Sequence, residues 1–345
     1  MRSRKGIGQR LGIVVLSAFL MMLSGSFAGA ENTIRVLISD GKNFHLPSKD
    51  ERVERLGNKK GDVLVSGLRC SGSIEVWKGD DGLYIVNELP LEEYVKGVVA
   101  GEVGKSWDME ALKAQAVVAR TYALHQKMNS GENKLRYHLT SSVMSQVYKG
   151  GPVPEQIAKA VDATRGEILT FEGKPIIAYY HSTSGGMTED PEEVFGKSYP
   201  YLKPVKTTCS LSPYYIWEKR IPLSEIGRAV KLNGIETISI DSYTVSGRVK
   251  AFRFVSGAGE KQVPAKDMRR DLGWERLPST LITRIDRDGD DYIFEGKGYG
   301  HGVGMCQWTA LDMAKEGQMY REILATFYPG TTLQLSSQLT KAGKN

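Results

Sequence analysis

One glutamate stands where the surrounding pattern asks for an apolar residue. In Leu91-Glu-Glu-Tyr-Val-Lys-Gly-Val-Val-Ala-Gly-Glu-Val103, the residues Leu91, Val95, Val98 and Glu102 recur at i, i+4, i+7 and i+11, the rhythm of one helical face. Glu92 and Glu93 lie off that face. A carboxylate so placed is desolvated, which favours its neutral form and raises its pKa. An acid that keeps its proton near neutral pH can protonate a leaving group, and Glu102 is therefore the first catalytic candidate.

Other chemistry-bearing residues are spread along the chain. Lys113 and Arg120, seven residues apart, project from one side of a second predicted helix that also carries Gln115. A predicted strand, Ile176 to Tyr180, delivers His181-Ser-Thr-Ser-Gly-Gly186 to a loop. Glycine occupies every second position from Gly296 to Gly304 around His301, a pattern suited to backbone amides that approach a ligand. His181 with Ser182 and Ser184 suggests a serine nucleophile, yet no Gly-x-Ser-x-Gly elbow or acid partner accompanies them. Cys70, Cys209 and Cys306 are an odd, scattered set without Cys-x-x-Cys spacing; they allow at most one bridge and make no zinc motif, and His181, His301 and Cys306 lack recognisable metal-ligand spacing. Asp286 to Asp291 looks rich in calcium ligands, but Asp291 stands where such a loop needs Gly and Lys297 where it needs Glu, so it reads as a hairpin turn.

The elements that must hold these groups are mixed. Short apolar runs at Ile34 to Ile38, Val63 to Leu68, Ile74 to Trp77 and Leu83 to Val86 read as strands and hairpins, with Gly79-Asp-Asp-Gly82 as a turn. After the Glu102 helix, Ser106 or Asp108 can cap Met109 to Gln126, whose Leu112, Ala116, Ala119 and Ala123 form a small-residue stripe for close packing. A short helix follows from Pro154 to Thr164 with Gly166 at its end, then a strand pair at Glu167 to Phe171 and Ile176 to Tyr180. Strands at Thr237 to Val245, Val249 to Val255 and Leu281 to Ile285 surround a helix near Lys266 to Asp271, and Gln307 to Glu316 closes as a helix. The fold class is α+β: mixed β-strands around a central helical pair, in one catalytic unit. The expected division is a signal peptide at residues 1–30, a β-rich segment at 31–87 and a catalytic domain at 88–335.

Residues 1–30 carry Arg2, Arg4, Lys5 and Arg10, then the apolar run Leu11 to Leu23 and the small-residue pattern Ala28-Gly-Ala30, the layout of a secretory signal. Export to the periplasm or cell envelope is expected; an uncleaved signal would keep the chain at the membrane. Four of the 46 basic residues leave with that segment and none of the 40 acidic ones do, which leaves 42 against 40. So even a balance, together with export, argues against nucleic acid as a partner.

Four stretches together resemble the SpoIID/LytB family, named for stage II sporulation protein D and the amidase enhancer: Leu89 to Glu102, Ala111-Leu-Lys-Ala-Gln-Ala-Val-Val-Ala-Arg-Thr-Tyr-Ala123, His181 to Gly186 and Gly298-Tyr-Gly-His-Gly-Val-Gly-Met305. The resemblance continues through Gln307, Met313 to Gly317 and Tyr328 to Thr331. Two departures stand out. The family's Gly-Met-Ser-Gln-x-Gly is here Gly304-Met-Cys-Gln-Trp-Thr309, and the His138 to Tyr148 stretch lacks the cysteines with which some relatives bind zinc, so no structural zinc is expected.

The resemblance implies a lytic transglycosylase that cuts denuded peptidoglycan glycan strands and leaves 1,6-anhydro muramic ends, with Glu102 as sole acid and base and no cofactor. On that reading Lys113 and Arg120 hold the substrate's acidic lactyl group or support developing charge, Gln115 bonds sugar hydroxyls, and His181, Ser184 and His301 line the same cleft. The other branch of the resemblance implies a non-enzymatic glycan-binding module that stimulates a cell-wall amidase, its partner.

Overall fold

The computed structural model describes residues 32–38, 54–65, 68–79, 82–104, 106–130, 136–143 and 145–341. The expected signal at 1–30 and the turn residues Asp80 and Asp81 lie outside the described residues. Within them the fold is a mixture of helices and several sheets, the α+β class expected.

The helices in chain order are α1 (Leu91–Glu102), α2 (Met109–Ser130), α3 (Glu155–Ala163), α4 (Pro191–Phe195), α5 (Leu223–Val230), α6 (Ala265–Leu272), α7 (Gln307–Lys315) and α8 (Tyr320–Phe327). Asp108 starts α2, its Oδ1 accepting the Glu110 N–H at 2.9 Å, which satisfies one of the free amides of the first turn. The stripe Leu112, Ala116, Ala119 and Ala123 is buried, and its small side chains let α1, α3, α7 and α8 all pack around α2. Leu91, Val95 and Val98 of α1 are buried in the same core.

A five-stranded sheet covers one flank in the order Glu54–Lys60, Ser73–Gly79, Gly82–Pro90, Thr33–Ile38 and Leu139–Thr140, antiparallel except for the last pair. Strand Gly82–Pro90 crosses the 87/88 boundary expected from sequence, and the main core takes Ile34 and Leu89 from the sheet as well as the helices.

A second hydrophobic core is built separately from Trp217, Ile221, Ile226, Phe252, Phe254, Met268 and Phe294, among others. Two three-stranded sheets enclose it, Ile216–Pro222 with Asp291–Lys297 and Ile282–Asp288, and Ile235–Tyr243 with Val249–Ser256 and Gly259–Pro264. Asp286 to Asp291 forms the expected hairpin turn between antiparallel partners Asp288 and Asp291.

One expectation for the strands is corrected. Ile176 to Tyr180 is not one strand: Lys174–Pro175 pairs with Glu167–Phe171, whereas Tyr180–His181 pairs in parallel with Met305–Cys306. The alternating glycines explain the second pairing. A Cβ at Gly298, Gly300 or Gly304 would collide with Thr183, His181 or the Tyr179 carbonyl, and Gly304 also has φ +72°. Their close approach is to the chain's own 179–184 backbone rather than to a ligand.

Arg120 is fully buried at the meeting point of four elements. Its Nε and Nη2 donate to the two oxygens of Glu92 on α1 at 2.9 and 2.7 Å, Nη1 donates to the Glu167 carbonyl at 3.0 Å, and Nη2 also reaches the Val161 carbonyl at 3.3 Å. This bidentate geometry leaves no guanidinium face toward solvent, so the expected contact with a substrate lactyl group is replaced by a structural ion pair. Arg120→Ala leaves the Glu92 charge with only the Gly166 N–H as a donor and removes the guanidinium from two carbonyls; it is expected to cost about 3–5 kcal/mol of stability, read as a lowered urea midpoint.

Candidate active site

Glu102 is the last residue of α1 and is half-buried. Two donors converge on one of its oxygens: the Val147 N–H and the Tyr180 hydroxyl each lie 2.8 Å from Oε1. Burial raises the Glu102 pKa above its ordinary value, opposed by hydrogen bonds from Val147, Tyr180 and the Gln307 side chain and by the more distant charge of Lys149. Desolvation wins, as the apolar face predicts. None of these neighbours is a carboxylate.

Glycines on α1 make this geometry attainable. A Cβ on Gly101 would stand 2.5 Å from the Val147 carbonyl oxygen, and one on Gly97 would stand 2.5 Å from the Tyr148 ring. Spaced i, i+4, the two glycines form a flat strip along which segment 146–148 lies in contact with the helix. Tyr148 fills the space and stacks on Tyr94 with ring centroids 5.4 Å apart. A hydrogen-bonded file backs the acid: Tyr94 Oη donates to Gln146 Oε1 at 3.2 Å, and Gln146 Nε2 lies 3.4 Å from the Tyr180 hydroxyl.

Gln307 opens α7 on the other side of Glu102, and its Nε2 donates to Gln115 Oε1 at 3.3 Å. Gln115 is thus buried behind Gln307, with its own Nε2 unpartnered among the described residues, and orients the neighbour of the acid instead of reaching outward to sugar hydroxyls. Trp308 follows, half-buried, and packs edge to face on Trp107 at 5.1 Å.

The remaining expected site residues gather elsewhere. Lys113 donates to Glu110 at 2.6 Å and lies over the Tyr320 ring at 5.7 Å, anchoring α2 to the start of α8. His181 lies on the opposite side of its strand from Tyr180, as the two-residue period of a strand requires. It is buried with Nδ1 3.1 Å from the Val303 carbonyl, an acceptor, so the proton sits on Nδ1 and the unpartnered Nε2 carries a lone pair. His301 is its neighbour at 5.7 Å between ring centroids and accepts the Val303 N–H through Nδ1 at 3.0 Å. Burial, with the charges of Arg269 and Arg248, pushes the His301 pKa down to about 3. Burial likewise holds His181 well below its ordinary value, so both rings stay neutral.

Ser184 is fully buried, its hydroxyl 2.6 Å from that of Thr207, and Ser182 pairs with Thr183 at 3.2 Å. Among the described residues no hydrogen bond joins either serine to His181. The structure therefore splits the expected list: Glu102 stands with Gln115 behind it, His181, Ser184 and His301 form a buried group around residues 303–306, and Lys113 and Arg120 serve helix packing. Among the described residues no three His, Cys, Asp or Glu side chains stand together as a metal set, and His138 accepts the Arg35 N–H at 3.0 Å.

Sequence reasoning passed over Tyr180 and Val147, the donors to Glu102 Oε1. Tyr180 was visible only as the end of a strand, and Val147 contributes backbone, which no residue type announces. Gln307 was in view as part of the glycine-rich motif's continuation but carried no assigned role.

The family model described as stage II sporulation protein, SpoIID, matches residues 79–171, which contain α1, α2 and Glu102; a second model, described as a domain of unknown function, matches residues 212–304, the stretch of the second core. The chain is 35% identical over 265 residues to stage II sporulation protein D of Bacillus subtilis, covering 72% of this chain and 75% of that one. It is 34% identical over 271 residues to an uncharacterised protein of Brachyspira hyodysenteriae, covering 78% and 73%. The amidase enhancer of Bacillus subtilis is 33% identical over 290 residues, 69% of this chain but 40% of its own length.

The Tyr180 hydroxyl favours the ionised form of Glu102, so its removal should raise the Glu102 pKa further. A titration of carbon-13-labelled glutamate carboxyls by NMR is expected to place Glu102 higher in Tyr180→Phe than in the parent chain; an unchanged value would remove Tyr180 from the site.

Proposed function

We propose, from the premise that this chain belongs to the stage II sporulation protein D family, that it is an exported lytic transglycosylase acting on peptidoglycan glycan strands at the cell envelope. The observation that carries this reading is a single half-buried carboxylate with a raised pKa and no carboxylate among the groups acting on it. Glycoside hydrolysis ordinarily uses two carboxylates, one to protonate and one to activate water or attack. An intramolecular attack needs only one.

Glu102 begins protonated. With Oε1 accepting from Val147 and Tyr180, the proton sits on Oε2 and passes to the glycosidic oxygen between a muramic acid and the following glucosamine. As the C1–O bond breaks, positive charge develops on the muramic ring and the glucosamine leaves with the proton. The Glu102 carboxylate, stabilised by its two donors during this interval, then takes the proton of the C6 hydroxyl while O6 bonds to C1. A 1,6-anhydro end forms, no water is consumed, and the acid is returned to its starting state. The same side chain thus needs a raised pKa to hold a proton and donors strong enough to tolerate its loss; burial raises the pKa, and Val147 and Tyr180 are the donors.

The amidase enhancer relative supports a second reading, in which this chain binds glycan and stimulates a cell-wall amidase without cutting anything itself. Glu102 separates the two. On the enzyme reading, incubation with peptidoglycan stripped of stem peptides yields anhydro-ended fragments by mass spectrometry, and Glu102→Gln lowers their rate by about 10²–10⁴-fold while leaving the fold intact. If no such fragments form with the parent chain, and Glu102→Gln stimulates an amidase as well as the parent does, the binding reading replaces it. The pH profile follows from the sign of the shift. Because the protonated acid starts the reaction, the rate falls as pH rises through the raised Glu102 pKa, and Tyr180→Phe moves that falling limb to higher pH.

A further inference from the structure

The chain crosses between its two hydrophobic cores at two neighbouring points. It leaves the main core through residues 206–215 and returns through the glycine-rich stretch to Met305–Cys306. One cysteine stands at each crossing, Cys209 at the exit and Cys306 at the return, and both are fully buried free thiols. A single residue touches both sulfurs: the Ser184 N–H donates to Cys306 Sγ at 3.3 Å, and Ser184 Oγ lies 3.4 Å from Cys209 Sγ. Cys306 Sγ also donates to the Ser182 carbonyl at 3.5 Å, and the two thiols are near enough to act on each other electrostatically.

The backbone around Cys209 is held in place independently. Asp312 Oδ2 on α7 accepts from the Thr208 hydroxyl at 2.8 Å and the Ser210 N–H at 3.1 Å, and the Thr183 and Ser212 hydroxyls meet at 2.6 Å. Cys209 itself adopts left-handed backbone, φ +39°, which aims it away from the extended course of its neighbours. Cys70, on the strand Leu68–Cys70 of a different sheet, is the odd thiol out.

We propose that Cys209 and Cys306 close into a disulfide that staples the neck of the 212–304 module to the start of α7. The reaction is thiol–disulfide exchange with a small-molecule or protein disulfide. One protein thiolate attacks the external disulfide, forms a mixed disulfide and releases the first external thiol; the second protein thiolate displaces the other external thiol and closes the bridge. Two protein thiols are oxidised, one external disulfide is reduced, and the two protons go to the two released thiols. Hydrogen bonds from Cys306, Ser184 and the Gly185 and Gly186 amides hold the Cys209 thiol below its ordinary pKa, which makes it the attacking group. Since both sulfurs are buried in the folded chain, exchange takes place as the 206–215 strap docks. The bridge would fix the residue that precedes Gln307, and it does not depend on the chemistry assigned to Glu102.

The test is made on the full chain refolded in a glutathione and glutathione disulfide buffer, then unfolded in denaturant, alkylated without reductant and digested. A linked Cys209–Cys306 peptide is expected, with Cys70 alone alkylated. Closing a loop on the order of 100 residues is expected to raise the melting temperature by about 10 °C over the same chain in reductant. In Cys306→Ser, and separately in Cys209→Ser, that redox dependence is expected to vanish. Alkylation of all three cysteines, a bridge that includes Cys70, or equal melting temperatures with and without reductant would each overturn the proposal. Glycan cleavage is not read in any arm, so failure of the functional reading leaves this result standing.

Discussion

The contact on which the site depends is the bare strip of α1, where Gly97 and Gly101 let segment 146–148 lie directly against the helix. Any side chain at Gly101 would lift the Val147 backbone away from Glu102 and admit water. The carboxylate would then be an ordinary helix-end glutamate. Desolvation without donors would also fail, because an acid that can never ionise cannot act as a base in the second half of a reaction. The strip supplies both conditions at once: it seals the flank of Glu102 and presents an amide to it.

Behind that corner the structure divides its polar groups by task. Arg120 and Glu92 sit deep among α1, α2, α3 and the strand Glu167–Phe171, each satisfied, and fix how the helices meet. His181, Ser184 and His301 do comparable work around Val303, where the imidazoles are neutral and hydrogen-bonded to backbone. Glu102 is different: it is half-buried, and one of its oxygens accepts both the Val147 N–H and the Tyr180 hydroxyl. Buried, hydrogen-bonded polar groups specify packing, whereas a carboxyl whose desolvation is opposed by hydrogen-bond donors stays able to change its protonation state.

The Glu102 face was legible in sequence because helical periodicity is local: Leu91, Val95 and Val98 are buried and Glu102 is in register with them. The same reasoning placed Lys113 and Arg120 on one side of α2 but could not tell that Arg120 meets Glu92 rather than solvent, since that depends on a residue 28 positions away. Tyr180 and Val147 reach Glu102 across separations of 78 and 45 residues, and nothing in their immediate neighbours records the meeting. His181 drew attention because imidazole is chemically versatile; the strand turns it inward and turns the adjacent phenol toward the acid. The glycine ribbon was recognised as a place of close approach, yet only the pairing of Met305–Cys306 with Tyr180–His181 shows what approaches. Three strands after residue 215 were visible, at Thr237 to Val245, Val249 to Val255 and Leu281 to Ile285, whereas Ile216–Pro222 and Gly259–Pro264 were not, and membership of a second core is a property of their three-dimensional grouping.

The entry and exit of the outer module stand side by side at Ser184, so the whole intervening sequence is, topologically, one long loop whose ends the inner scaffold already holds together. The entropy of such a closure grows only with the logarithm of loop length. Insertions, deletions or wholesale exchange of that outer lobe consequently demand little rearrangement at its root. A lineage can remodel what the lobe touches while inheriting the Glu102 corner unaltered.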